Sequence, residues 1–321
     1  MVDCMTYHRI EPNRASLIGK FSRELPPILT IKSGDTVTFR TLDAGWGLEP
    51  QRADGSERSR FEPRDQERDA GHAMCGPIAI EGAEPGMTLE VRIDSLRPAL
   101  WGWNGAGGWP SRVNTRLGVA DGPEVMNRWS LNPETMVGVN QNGFEVTLRP
   151  FLGVMGMPPD EPGLHSTGPP RATGGNMDCK ELVAGSSLFL PIAVRGGLFS
   201  TGDGHAAQGD GEVSSTAIEC PMEEAVLTFV LHPELHLKLP RANTPAAWLT
   251  MGFDEDLNEA MFLALEGMLD LMCELFTLNR KDALALSSIA VDLRITQIVN
   301  GAWGVHAVLP HGALRKLTRC E

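Results

Sequence analysis

Eleven consecutive residues, Gly202-Asp203-Gly204-His205-Ala206-Ala207-Gln208-Gly209-Asp210-Gly211-Glu212, interleave one imidazole, one amide and three carboxylates with four glycines. Glycine admits positive φ and lets neighbouring backbone approach closely, so this composition can bring polar side chains together. Acids and an imidazole at such density suit proton transfer or ligation of a divalent cation. The plain alternative is a polar, glycine-rich hairpin loop. Asp203 and His205 share parity, so on an extended segment both point to one face and supply half of a hard-to-borderline metal site suited to zinc. Glu212 and Glu219 have opposite parity and meet in one site only across a bulge. On that ground Glu212 alone is kept as the candidate for proton transfer.

Further candidates lie at the ends of strand-like runs. Asp43 follows Thr36 to Leu42 and precedes Ala44-Gly45-Trp46-Gly47, His72 stands just before Cys75-Gly76-Pro77, and Asp178 closes Gly174-Gly175-Asn176-Met177-Asp178. Taken singly, the two acids read as turn or capping residues and His72 as a hydrogen-bonded histidine at a strand start. His165, in a proline-rich loop, reads as bordering an entrance, and His306 as a satisfied strand residue. The cysteines Cys4, Cys75, Cys179, Cys220, Cys273 and Cys320 show no Cys-x-x-Cys spacing. That argues for reduced, mostly buried thiols. Cys179 and Cys220 follow Asp178 and Glu219, yet no histidine is placed by sequence to activate either thiol. Gly-x-Ser-x-Gly, P-loop, His-Glu-x-x-His and dinucleotide fingerprints are all missing.

The elements that must carry these groups are mainly strands. Val37 and Phe39 alternate with polar residues in Asp35 to Leu42, as do Leu89, Val91 and Ile93 in Met87 to Ile93. Gly143 to Leu148, Ser187 to Val194 and Ala225 to His232 are further strands. Pro98 to Pro110, rich in Trp and Gly, reads as a long packed loop, Met157 to Gly175 as a proline-rich loop that no helix crosses, and Glu57 to Asp69 as a solvated loop. From Asp254 to Phe276 the period changes: Leu257, Met261, Leu265, Met268, Met272 and Leu275 mark an amphipathic helix with acids at its start. A second helix over Arg280 to Leu286 and a strand over Val291 to Val299 follow. The expectation is a mainly β (α+β) protein: a large β-sandwich or barrel-like core with a C-terminal helical hairpin, residues 1–321 forming one domain and helices over about 254–288 packing on the β core. A net charge of −13 argues against nucleic acid and anionic membrane surfaces as partners. With no spanning run and no apolar leader, a cytoplasmic location is expected.

Four motifs together resemble the acetamidase/formamidase family. They are Thr41-Leu42-Asp43-Ala44, Gly76-Pro77-Ile78-Ala79-Ile80-Glu81-Gly82-Ala83-Glu84-Pro85-Gly86, Gly175-Asn176-Met177-Asp178, and Gly202-Asp203-Gly204-His205 through Gln208-Gly209-Asp210-Gly211-Glu212. Thr296 to Asn300 and Gly304 to Ala307 are similar as well. The resemblance implies a cytoplasmic, homo-oligomeric β-rich hydrolase that cleaves small amides to a carboxylate and ammonia with a divalent metal, often zinc. It places Asp43, His72, Asp178, Asp203, His205, Gln208 and Glu212 at the site. On that footing the expected ligands are Asp43, His72, Asp178 and His205, with Glu212 as the proton-transfer group. Gln208 and Asn176 then bind the substrate or its oxyanion, and Asp203 belongs with them or orients His205. One departure is the run Gly45-Trp46-Gly47-Leu48, where relatives carry a polar residue and a Gly-Gln pair; an indole beside Asp43 implies a differently shaped pocket and room for a larger or cyclic amide. The alternatives to a small linear amide are a lactam or imide, or a non-catalytic β-barrel that holds a small ligand.

Overall fold

Alternation of apolar and polar residues becomes strand pairing in the computed structural model, which describes residues 6–315. Val37 and Phe39 are buried on the strand Thr36–Phe39, and Leu89, Val91 and Ile93 on the strand Thr88–Pro98. These two flank the strand Met222–His232 in a nine-stranded sheet that begins at Tyr7–Ile10 and ends at Asp292–Gln297. A six-stranded sheet runs Gly174–Asn176, Phe151–Gly156, Phe199–His205, Met74–Ile80 and Leu17–Ile18, with Leu29–Ile31 also on Met74–Ile80. Side chains from both sheets share one apolar core, from Ile10 to Val308. Among the described residues each sheet is open-ended, so no barrel closes. Cys4 and Cys320 lie outside the described residues; Cys75, Cys179, Cys220 and Cys273 are free thiols.

Two segments differ from their sequence reading, and one short helix had none. Residues 98–110 contain a true strand, Trp101–Ala106, which pairs with Val125–Asn132 at the edge of a four-stranded sheet. Its glycines, Gly102 and Gly105, face close neighbours, where a side chain would strike the Glu219 carbonyl or the Glu124 carboxylate. Residues 57–69 are not uniformly solvated, since Arg58 and Asp69 are buried. Asp69 pairs with Arg14 and Arg68, and Arg58 pairs with Asp43. The short helix α1 (Arg112–Leu117) left no periodic signal, being too brief to show one; Ser111 caps it.

The helices of the C-terminal region lie close to where the period placed them. Helix α2 (Leu257–Phe276) is capped by Asp256, whose side chain accepts from the Asn258 backbone N–H, and α3 (Arg280–Ala290) by Asn279. The inner face of α2 is Ala260, Ala264, Met268, Leu271 and Met272. Leu275, expected on that face, is exposed instead. The pair covers the strands Ala247–Asp254 and Trp303–Pro310 over its own apolar cluster.

Candidate active site

Strand parity brings Asp203 and His205 to one face of Phe199–His205, and the intervening glycines let that strand lie unusually near its neighbours. A Cβ on Gly202 would stand 2.2 Å from the Ala73 carbonyl oxygen, and one on Gly204 2.5 Å from that of Cys220. Asp203 itself takes φ of 57°, a left-handed conformation that costs an aspartate little more than it costs asparagine. Opposite, on Phe151–Gly156, a Cβ on Gly153 would meet Asp203 Oδ2 at 2.5 Å, Asp178 Oδ1 at 2.6 Å and His205 Cε1 at 2.8 Å. Three polar side chains therefore converge over one bare backbone position.

His205 is the hub. Its Nε2 lies 3.4 Å from Asp203 Oδ1 and 3.3 Å from Glu219 Oε2, and its Nδ1 lies 3.8 Å from Asp178 Oδ1. Glu212 joins Asp178 and His205, with one ligand atom of each within 4.8 Å of the others; Asp203, His205 and Glu219 form an equivalent set at Nε2. The ring is backed edge-on by Phe151 at 5.0 Å. All five groups are buried.

Glu219, set aside on parity, is in the site. The segment between it and His205 is no continuous strand: it loops out, and Ala206 and Ile218 pair across its base. Glu219 then bridges both His205 and Trp103, with Trp103 N–H donating to the Glu219 carbonyl and the reverse. Within the loop, Glu212 has φ of 43°, and Gly211 is pinned to the strand Asp292–Gln297 by hydrogen bonds to Thr296 and Ile298. Asp210 pairs with Lys180 and Arg294, and Arg294 also pairs with Glu181. These ion pairs buckle the Glu212 loop to the one that follows Asp178. Glu181, Asp210 and the buried His306 also lie together, but both carboxylates are already occupied by cations.

The remaining expected residues divide. His72 lines the same cavity as His205, its Nδ1 2.8 Å from Thr167 Oγ1. Asn176 lines it too, with Oδ1 buried and unpartnered. Gln208 spends its Nε2 on the Asp178 carbonyl at 2.8 Å, which braces that acid's backbone. Asp43, expected as a ligand, has its carboxylate filled by Arg58, by Trp103 Nε1 at 2.7 Å and by Gly47 N–H at 2.7 Å. Trp46 and Leu48 do not shape the cavity as expected: Trp46 is a core residue holding the Gly71 carbonyl, and Leu48 is exposed. His165 is tied to the Glu161 carbonyl and is absent from the cavity wall. Asn300, unforeseen, donates to Asp178 Oδ2. The cavity, of about 300 Å³, is lined as well by Ala44, Gly45, Gly71 and Trp103.

Electrostatics follow from burying four carboxyls around one ring. Burial pushes Asp178 up to about 6 and Glu219 up to about 7, against the opposing pull of His205. Glu212 is held well above the ordinary carboxyl range, by burial first and then by Asp178. For His205 burial favours the neutral ring, yet Glu219 and Asp203 outweigh it and raise the imidazole. Burial also works to raise Asp203, but the charges of His205 and His72 pull it below the usual range. Burial drives the Cys179 thiol up to about 12 and Cys220 higher still, which removes a thiolate nucleophile from consideration.

Asp178 Oδ1, Asp203 Oδ1, Glu219 Oε2 and His205 Nδ1 are buried without a hydrogen-bond partner. Unpaired polar atoms of this kind are costly to bury unless a cation or protons neutralise the carboxylates. Carboxylate oxygens with one imidazole nitrogen are a donor set that fits a divalent cation of the zinc type.

Against known proteins, the family model described as "Acetamidase/Formamidase family" matches residues 6–166 and 162–234, the second stretch holding all five hub residues. A formamidase from Methylophilus methylotrophus is 26% identical over 245 residues, 61% of this chain and 59% of that protein. An acetamidase from Mycolicibacterium smegmatis is 26% identical over 252 residues, covering 61% of each. The chain thus spans about three-fifths of the length of the curated relatives it matches. Among solved structures, a predicted acetamidase/formamidase from Thermoanaerobacter tengcongensis superposes with a TM-score of 0.82 at 26% identity, over 96% of both chains.

Proposed function

Because the chain belongs to the acetamidase/formamidase family, we propose that it hydrolyses the C–N bond of a small carboxamide to a carboxylate and ammonia. The observation that carries this reading is the convergence of Asp178, Asp203, Glu212 and Glu219 around the His205 ring, at a cavity of substrate size. Asp203, His205 and Glu219 would hold a divalent cation, zinc by donor type. Bound there, such an ion supplies Lewis acidity that polarises an amide carbonyl and makes water a better acid. Glu212 is the proton carrier: its carboxyl takes a proton from the attacking water and returns it to the amide nitrogen as the C–N bond breaks, work of about 10²–10⁴-fold. Burial first, and then the like charge of Asp178, keeps Glu212 proton-hungry, and Asn300 and Gln208 fix Asp178 in turn. Asn176 and His72 stand in the cavity wall where a substrate amide is bound.

The same reading extends to a homo-oligomer, as the family resemblance implies, and to the cytoplasm, which the free cysteines support. It also takes residues 1–321 as a single domain, supported by one core reaching from Ile10 to Val308. The test is ammonia release from formamide, acetamide, longer amides and lactams, before and after chelation. Release that chelation abolishes and added zinc restores is expected. Absence of ammonia from every amide overturns the reaction, and full activity in metal-free protein overturns the cation.

A further inference from the structure

The segment that departs most from the family resemblance, residues 45–69, contributes a buried cation behind the cavity wall. Leu48 N–H bonds the Ser59 carbonyl, Phe61 N–H bonds the Trp46 carbonyl, and Gly47 bridges Arg60, so residues 46–61 fold back on themselves. The return arm carries Arg58 inward, its side chain 2% exposed, onto Asp43, whose side chain is fully buried; Nη2 and Oδ2 are 2.5 Å apart. The guanidinium is packed between two indoles, its carbon 5.6 Å from the ring centroids of both Trp101 and Trp103. Nη1 reaches the Glu49 carbonyl at 3.2 Å. Gly47 is bare because a Cβ there would sit 2.3 Å from Arg58 Nη1, and a Cβ on Gly45 would press Arg58 Nη2 at 3.0 Å. The Gly-Trp-Gly spacing thus makes room for this arginine.

The pair reaches the cavity through one residue. The carboxylate oxygen that meets Arg58, Asp43 Oδ2, also accepts from Trp103 Nε1 at 2.7 Å. Trp103 lines the cavity beside Ala44 and Gly45, and its backbone is hydrogen-bonded to Glu219, one of the acids on His205. A planar, permanently charged guanidinium between two indoles holds both rings in place as a flexible ammonium does not. The cavity, at about 300 Å³, reaches the size range of small-molecule sites, wider than formamide or acetamide needs.

We propose that Arg58 is a specificity-determining positioning residue: through Asp43 it locks the Trp103 indole as an apolar wall that selects amides with a flat, apolar acyl group over acetamide. The inference rests on the amide-hydrolase reading for its substrate, while the locking of the indole stands on geometry alone.

Two measurements separate these. In ¹⁵N-indole-labelled protein, with Trp103 assigned through Trp103→Leu, the Nε1–H proton exchanges slowly with solvent and exchanges faster in Arg58→Lys. Equal exchange in both overturns the locking. In parallel, kcat/KM is compared for benzamide and acetamide. Wild type favours benzamide, and Arg58→Lys and Trp103→Leu each lower the benzamide-to-acetamide ratio by about tenfold. A fall of both amides in parallel, with the ratio unchanged, marks Arg58 as merely structural and overturns the proposal. Should Arg58→Lys fail to fold, Trp103→Leu, which leaves the Arg58–Asp43 pair whole, decides the ratio. No ammonia from wild type with either amide, alongside a protected indole, overturns the amide reading and the substrate preference with it but leaves the lock standing.

Discussion

Replacing Gly153 with alanine perturbs the site through a single methyl group. Its Cβ would lie 2.5 Å from Asp203 Oδ2, 2.6 Å from Asp178 Oδ1 and 2.8 Å from His205 Cε1, whereas ordinary contact begins near 3.4 Å. Opening those contacts takes displacements of 0.9, 0.8 and 0.6 Å, the differences between 3.4 Å and each distance. The three side chains have little slack. Asp178 and Asp203 are on left-handed backbone, and the imidazole is backed by Phe151. A misplacement on the order of 1 Å costs about 10²-fold in rate. Overpacking of a closed interior costs roughly 1–3 kcal/mol of stability. Gly153→Ala is therefore expected to unfold a few degrees earlier yet remain folded at 25 °C, with ammonia release lowered about 10²-fold and the affinity for zinc lowered as well. Gly209→Ala, at a position where a Cβ meets nothing within 4 Å, is the matched control and should behave as wild type. Turnover and zinc binding by Gly153→Ala within twofold of wild type would refute the convergence of Asp178, Asp203 and His205 on one reacting centre.

Three more outcomes are expected. Glu212→Gln keeps its volume and should bind zinc as wild type does while losing about 10²–10⁴-fold in ammonia release; near-normal turnover would move the proton-transfer role elsewhere. Zinc affinity of the metal-free protein, followed by calorimetry, should climb from pH 5 to pH 8, because the ion displaces the proton that Glu219 holds below about 7 and the one that the raised His205 holds. A flat profile would contradict that competition. Burial depresses His306 to about 4 from its ordinary 6.5, so the unfolded chain takes up a proton first. That part of the stability is present above pH 6.5 and is lost as pH falls towards 4. Denaturant unfolding of His306→Gln should show a shallower decline across this window, and an identical slope would show that His306 does not titrate differently on folding.

The sequence alone determined the periodicities and the chemistry of single segments. Alternation at Val37 and Phe39, and at Leu89, Val91 and Ile93, is a property of residues two apart, and it became strands because each such run has one face to bury. The three- and four-residue steps after Asp254 became α2 for the same local reason. Glycine beside Asp203 and His205 announced close backbone approach, and the gaps of 2.2 Å at Gly202 and 2.5 Å at Gly204 are that approach.

Sheet order and chain crossing, which no local pattern encodes, set which distant groups share the space around His205. Parity excluded Glu219 because it presumes an unbroken strand, and the looped-out chain between Ala206 and Ile218 removes that premise. No spacing rule links Gly153 to Asp178 and Asp203, or Asn300 to Asp178, since their proximity comes from sheet order and chain crossing. Asp43 shows the limit most directly: an aspartate after a strand has the same local signature whether it faces a cation or an arginine. The fold-back that delivers Arg58, fifteen positions on, is what fills its carboxylate.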